Sequence, residues 1–120
     1  MKNNLREVYL DRTEKDNSKW LELITKVLKT AKHFEIHCWN EETDWIALAL
    51  NYGTLKKNTW KYGKIIEGDV TQEFITMLLN MPKPTDVEIY NKMTPFFNIF
   101  LDGQNFQSSH YGSEIYIKQE

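Results

Sequence analysis

Two histidines and a glutamate alternate in residues 33–37, HFEIH. In a β-strand, alternate side chains point to the same face, so His33, Glu35 and His37 would lie together. Imidazoles and a carboxylate on one face could bind a metal ion or exchange protons. Zinc requires three or four ligands at fixed distances, and acid–base catalysis requires a convergent pocket. Alternation along one strand establishes neither of these. We therefore favour a solvated strand face. The alternative is a small enzyme or metal-binding protein that uses these three residues, and His110 could join them.

A cluster of carboxylates follows that segment, close to Trp39 in the sequence. A surface of this kind attracts a basic partner and orients it, and a tryptophan supplies an apolar anchor. The competing interpretation is that the acidic residues stabilise the positive end of a helix dipole in a solvated first turn. The partner-binding residues predicted on the first interpretation are Glu35, Trp39, Glu41, Glu42 and Asp44.

Lysines and aromatic residues alternate in residues 56–64, KKNTWKYGK. Single-stranded nucleic acids bind to surfaces that combine cations with stacking rings, so a nucleic-acid-binding module centred on Lys56 to Lys64 is a second alternative. Such sites usually draw on several strands and on a larger excess of basic residues. We favour a solvated edge strand or hairpin, in which lysines discourage pairing with another sheet.

Hydrophobic periodicity predicts the elements that position these residues. Apolar residues recur at helical spacing after three groups of capping residues, and alternate with polar residues in the strands. Asp102-Gly103 is a turn signal. The predicted helices cover about 18–31, 41–52 and 70–81, although 46–50 could also be a buried strand. The predicted strands lie near 5–10, 33–39, 65–66, 87–90, 96–101, 106 and 114–118. The segment 96–101 is apolar on both faces, as in a covered central strand.

This order of elements predicts one α+β domain over residues 1–120. We expect about three helices packed on a mainly antiparallel sheet that is formed largely by the C-terminal third, because helices gather early and strands late. The chain has 120 residues, of which 41% are hydrophobic and 27% charged. That is ordinary usage for a globular domain, and the length is enough to enclose a core without disulfides.

Composition narrows the class of function. The formal charge is −2, so no overall positive field favours nucleic acid or an anionic membrane. The N-terminus lacks the apolar run of a signal peptide, and no apolar stretch is long enough to span a membrane. The lone cysteine, Cys38, fits a reducing compartment and a buried structural role. No linear catalytic motif is present, so we expect a cytoplasmic binding protein without catalytic residues, metal or cofactor.

The whole chain resembles small bacterial toxin-neutralising immunity proteins, such as those of contact-dependent inhibition or polymorphic toxin systems. The resemblance rests on a compact, mildly acidic domain rich in Trp and Tyr, with the cluster of Glu41, Glu42 and Asp44 and no catalytic signature. These proteins share no signature motif, so the resemblance transfers no specific site. It implies an inhibitor that covers the active site or substrate cleft of a cognate toxin. A nuclease, whose cleft is basic, would suit an acidic inhibitor. The oligomeric state stays open.

Overall fold

The computed structural model describes residues 5–9, 16–57, 60–85 and 91–118. Within these ranges the chain forms three helices and seven strands. In chain order the elements are β1 (Leu5–Tyr9), α1 (Ser18–Leu28), β2 (His33–Trp39), α2 (Thr43–Leu50), β3 (Thr54–Lys56), β4 (Gly63–Asp69), α3 (Gln72–Leu79), β5 (Asn98–Leu101), β6 (Phe106–Ser109) and β7 (Glu114–Lys118).

The helices follow the apolar spacing and the capping residues of the sequence. Trp20, Ile24 and Leu28 recur every fourth residue, and all three are buried along one side of α1. Helix α3 begins where the Thr71 hydroxyl oxygen accepts a hydrogen bond of 3.1 Å from the backbone N–H of Phe74. That bond satisfies one of the donors that a helix start leaves unpaired. None of the described helices is long and apolar enough to cross a membrane.

All the strands belong to one antiparallel sheet, in the order β1-β7-β6-β5-β2-β4-β3. Strand β2 lies inside the sheet, with β4 on one side and β5 on the other. The turn between β5 and β6 contains Asp102 and Gly103, both at positive φ, which the Asp-Gly pair tolerates. The short strand β3 forms one edge.

One hydrophobic core joins the three helices to a single face of the sheet. Strand β2 shows the alternation, because Phe34, Ile36 and Cys38 are buried and the residues between them are only half-buried. Strand residues that pair with them across the sheet share the same face. The buried cluster also contains Trp20, Ile24, Leu28, Ala49, Ile66, Phe74, Leu78, Ile99, Leu101, Phe106 and Ile115.

The predicted α+β class, the helices and the antiparallel sheet are confirmed. The C-terminal third supplies β5, β6 and β7, which lie side by side, and β1 to β4 complete the sheet. The strand predicted over 96–101 begins only at Asn98; just before it, the Phe97 carbonyl accepts a hydrogen bond from the N–H of Tyr111, which lies at positive φ in the turn after β6. In β5, Ile99 and Leu101 are buried, whereas Asn98 and Phe100 are only half-buried, so this strand is not covered on both faces. The strand predicted near 87–90 lies outside the described residues.

Candidate partner-binding face

The face of the sheet opposite the three helices carries the polar and aromatic side chains of the strands. On β2 these are His33, Glu35, His37 and Trp39, all half-buried. Directly paired residues of antiparallel strands point to the same side, so the register extends this set across the sheet. We call it the open face, and its other members include Thr54, Lys56, Ile65, Glu67, Asp69, Asn98, Phe100, Gln107, Ser109, Glu114 and Tyr116.

Glu35 lies at the centre of a charged group on the open face. One carboxylate oxygen is 2.8 Å from His37 Nε2, and the other accepts a hydrogen bond of 2.9 Å from Lys56 Nζ. Partial burial raises the pKa of Glu35, but the hydrogen bonds from His37 and Lys56 and the positive charge of Lys56 outweigh it, so its pKa lies below the ordinary value. The same contact raises the pKa of Lys56.

The lowered pKa of Glu35 predicts a pH-dependent contribution of Lys56 to stability. A carboxyl whose pKa falls on folding stabilises the protein above its ordinary pKa, and that contribution is lost as the pH falls through the folded-state value. We therefore expect Lys56→Met to lower the free energy of unfolding at pH 7 and to matter less at pH 3. Urea unfolding at both pH values measures this difference.

Lys57→Met is the matched control, because Lys57 is the exposed neighbour of Lys56. We expect its effect on stability to be small and nearly independent of pH. A loss in Lys56→Met that is equal at pH 7 and pH 3 would contradict the assigned role of the Glu35 carboxylate.

Aromatic rings pack together beside this charged group. The ring centroid of Trp39 lies 5.1 Å from that of Trp60 and 4.9 Å from that of Phe97. The His37 imidazole lies 5.9 Å from the Trp60 ring and 4.9 Å from the Phe100 ring. These distances are typical of stabilising ring contacts. We call these five residues the aromatic cluster, and it lies where β2, β4 and β5 meet.

Gly63, the first residue of β4, lets Trp60 pack closely on the sheet. A Cβ atom at this position would overlap the Trp60 ring and the carbonyl oxygen of Cys38. The indole of Trp60 therefore takes the space that any larger residue at Gly63 would fill.

Glu42 connects helix α2 to the aromatic cluster. One of its carboxylate oxygens accepts a hydrogen bond of 2.9 Å from the backbone N–H of Trp39, and the other accepts one of 2.8 Å from the Tyr111 hydroxyl. Tyr111 is buried and has a positive φ of 62°, a conformation that costs energy for a bulky residue. The carboxylate thus fixes the end of β2 and the turn before β7.

We expect Glu42→Ala to lower the free energy of unfolding by about 1–3 kcal/mol, because it leaves the Trp39 N–H and the Tyr111 hydroxyl without their acceptor. Glu42→Gln keeps one acceptor oxygen and should cost less. Glu41→Ala is the control, since Glu41 is exposed on the preceding turn and its loss should change stability by no more than about 0.5 kcal/mol. Urea titrations compare the three, and equal losses at Glu41 and Glu42 would be inconsistent with this role.

The structure divides the predicted partner-binding residues into three groups. Glu35 and Trp39 lie on the open face. Glu41 and Asp44 are exposed where α2 begins, and Glu42 is held by its two internal hydrogen bonds. Sequence reasoning missed Glu67, Asp69, Trp60, Phe97 and Phe100 as neighbours of Glu35 and Trp39. The alternation of β4 was the available signal, but its register against β2 was not readable from the chain.

The histidines each lie close to a carboxylate. His33 Nε2 is 3.5 Å from Glu67, and His110 Nδ1 is 3.3 Å from Glu114. His33 and His37 are four residues apart on one strand, which separates their backbones by about 13 Å. In the part of the chain that the structure describes, no group of three or more His, Cys, Asp or Glu residues could hold a metal ion.

Cys38 is fully buried on the helix-covered face of β2. Burial, assisted by the negative charge of Glu42, raises the pKa of its thiol to about 12. The thiolate, which is the nucleophilic form, is therefore scarce at neutral pH. The side chain acts as a small apolar core residue, in agreement with the sequence interpretation.

Two side chains of the basic and aromatic segment, residues 56–64, contact the open face of the sheet. Lys56 bonds to Glu35, and Trp60 packs in the aromatic cluster. Lys61 Nζ lies 5.1 Å from the ring centre of Tyr62, which is 59% exposed. Residues 58 and 59 lie outside the described ranges. Thr54–Lys56 forms the sheet edge, in agreement with the preferred interpretation of this segment.

Comparison with known proteins adds no relative, since the chain matches no protein-family model, no curated protein sequence and no solved structure.

Proposed function

We propose that this protein is a binding inhibitor, an immunity protein of the bacterial cytoplasm that neutralises a cognate toxin by covering its active site or substrate cleft. The observation that carries the proposal is the open face, where an aromatic cluster lies beside carboxylates and none of the three described helices covers them. Protein-binding surfaces commonly combine aromatic anchors with a polar rim.

The packing of the aromatic cluster favours binding. Trp39 and Trp60 contact each other, and Phe97 contacts both rings. The hydrogen bond from the Trp39 N–H to Glu42 fixes the backbone beneath them. Side chains that are ordered before binding lose less conformational entropy when a partner docks. A preorganised cluster can therefore contribute affinity without any chemical step.

The carboxylates support a basic partner. Glu35 and Glu67 lie directly opposite each other on β2 and β4, and Asp69 follows on the same face. A negative surface raises the rate of encounter with a positive one and selects its orientation. The substrate cleft of a nuclease is positively charged because it binds phosphates, so such a toxin suits this surface.

The product of the reading frame adjacent to the gene is the partner to test first. Co-expression should restore growth to cells that produce this product, and the two proteins should co-purify as a stable complex. Trp39→Ala should weaken the complex by about fivefold or more, because truncation of an aromatic anchor commonly costs more than about 1 kcal/mol. Tyr62→Ala, which removes an exposed ring from the neighbouring turn, is the control.

Circular dichroism of both variants establishes that they fold. Failure of the wild-type protein to protect cells or to bind that product would count against the proposed inhibitor, as would a neighbouring frame that encodes a metabolic enzyme. Full protection by a folded Trp39→Ala variant would remove the aromatic cluster from the interface.

A further inference from the structure

We infer that the β2–β4 part of the open face, and not the acidic start of α2, is the docking surface for a positively charged protein surface that offers arginine or lysine side chains. The inference rests on the proposed function for the biological role of that partner, but the chemistry of the surface can be tested without it. The docking surface is defined by Glu35, Glu67 and Asp69, together with Trp39 and Trp60 of the aromatic cluster.

The first reason is a cluster of carboxylates on two paired strands. Two adjacent strands place three carboxylates, Glu35, Glu67 and Asp69, on one side, where Lys56 also lies. Lys56 donates to Glu35, which also lies in hydrogen-bond distance of His37. Like charges on directly opposed strand positions destabilise a sheet, so an additional cation over Glu35 and Glu67 would be stabilising.

The second reason is that Glu67 and Asp69 are more accessible than Glu35. The Glu67 side chain is 35% exposed, against 22% for Glu35, and its distance of 3.5 Å to His33 exceeds that of an ordinary hydrogen bond. Asp69 is exposed at the end of β4. Both carboxylates can therefore accept hydrogen bonds from a guanidinium group of a partner.

The third reason is the neighbouring aromatic surface. Trp39 and Trp60 lie at the other end of the same strand pair, where Trp39 is opposite Gly63. Arginine binds carboxylates through its planar fork and also stacks on aromatic rings. A surface with carboxylates at one end and indoles at the other thus fits a partner that carries several arginines.

The charge of helix α1 is consistent with this placement of the docking surface. Helix α1, on the opposite side of the sheet, contains Lys19 and Lys26 against a single acidic residue, Glu22, and Lys29 follows it. These lysines repel a positively charged partner from α1. At the start of α2, Glu42 is bonded internally, which leaves Glu41 and Asp44 as the exposed carboxylates there.

Titration of the ¹⁵N-labelled protein with a hexa-arginine peptide, followed by NMR at low ionic strength, tests the inference. We expect the largest amide shift changes in β2 and β4. The charge reversals Glu67→Lys with Asp69→Lys should weaken peptide binding at least about fivefold, since they replace two attractive contacts with repulsive ones. Glu41→Lys with Asp44→Lys is the matched control, because it changes the net charge by the same amount at the start of α2.

Equal weakening by the two double variants, a larger effect of the control, or no binding to the wild-type protein would overturn the inference. If Glu67→Lys with Asp69→Lys fails to fold, Glu67→Gln with Asp69→Asn replaces it, because it keeps the side-chain sizes. This neutral variant should still weaken peptide binding more than the control does, but by a smaller factor. In the growth assay, a wild-type protein that never protects cells but binds the peptide on β2 and β4 would reject the inhibitor and retain the docking surface. Full protection of cells by the double variant Glu67→Lys with Asp69→Lys would retain the inhibitor and reject the docking surface.

Discussion

We expect Trp20→Ala to lower the free energy of unfolding by about 3–5 kcal/mol, a cost typical of a buried aromatic residue truncated to alanine. Trp20 is 1% exposed and lies in the first turn of α1. Its indole N–H donates a hydrogen bond of 3.1 Å to the hydroxyl oxygen of Ser108 on β6. The side chain therefore joins the helix layer to the sheet through both packing and a buried hydrogen bond.

Two further variants separate these contributions. Ser108→Ala leaves the indole N–H unpaired and should cost about 1–3 kcal/mol, whereas Trp20→Phe keeps part of the packing and should fall between it and Trp20→Ala. Urea unfolding followed by circular dichroism provides the comparison without relying on the fluorescence of the residue removed. A loss below about 1 kcal/mol in Trp20→Ala would contradict the placement of this ring in the core.

The second large effect is expected for Gly63→Ala. The added methyl group would overlap the Trp60 ring and the Cys38 carbonyl, so either the ring or the strand must move. Overpacking of this kind typically costs about 1–3 kcal/mol. Because Trp60 contacts Trp39 and His37, we also expect changes in the near-ultraviolet circular dichroism and in the tryptophan fluorescence.

Gly103→Ala is the control for this experiment. Its φ is +69° and no atom lies within 4 Å of an added Cβ, so its cost of about 1–2 kcal/mol comes from the backbone alone. The aromatic signals should then remain those of the wild-type protein. Unchanged aromatic signals in Gly63→Ala would mean that Trp60 does not pack against this glycine.

Several features of the site were predictable from the sequence because they depend on neighbouring residues. The alternation of β2 separates Phe34, Ile36 and Cys38 from the residues of the open face, and the structure confirms this separation. The assignment of Cys38 to the core follows from the same period. The role of Glu42 was not predictable, since its partners are a strand backbone and a tyrosine 69 residues away.

The acidic cluster shows most clearly where sequence reasoning stops. Adjacency in the chain suggested that Glu41, Glu42 and Asp44 act together with Glu35. In the structure Glu35 instead faces Glu67, because β2 and β4 pair antiparallel in that register. Carboxylates that are close in sequence therefore divide among the open face, an internal contact and the start of α2.

The sequence by itself determined the composition class, the three helices and most strands, because hydrophobic periodicity and capping residues act over a few positions. Only the tertiary structure decided the strand order and register, which bring Glu67 opposite Glu35 and Trp60 against Trp39. Pairing between distant strands depends on which faces can be buried together and on backbone hydrogen bonds along the whole strand. Local periodicity specifies which side of each strand is apolar, but not the strand that lies beside it.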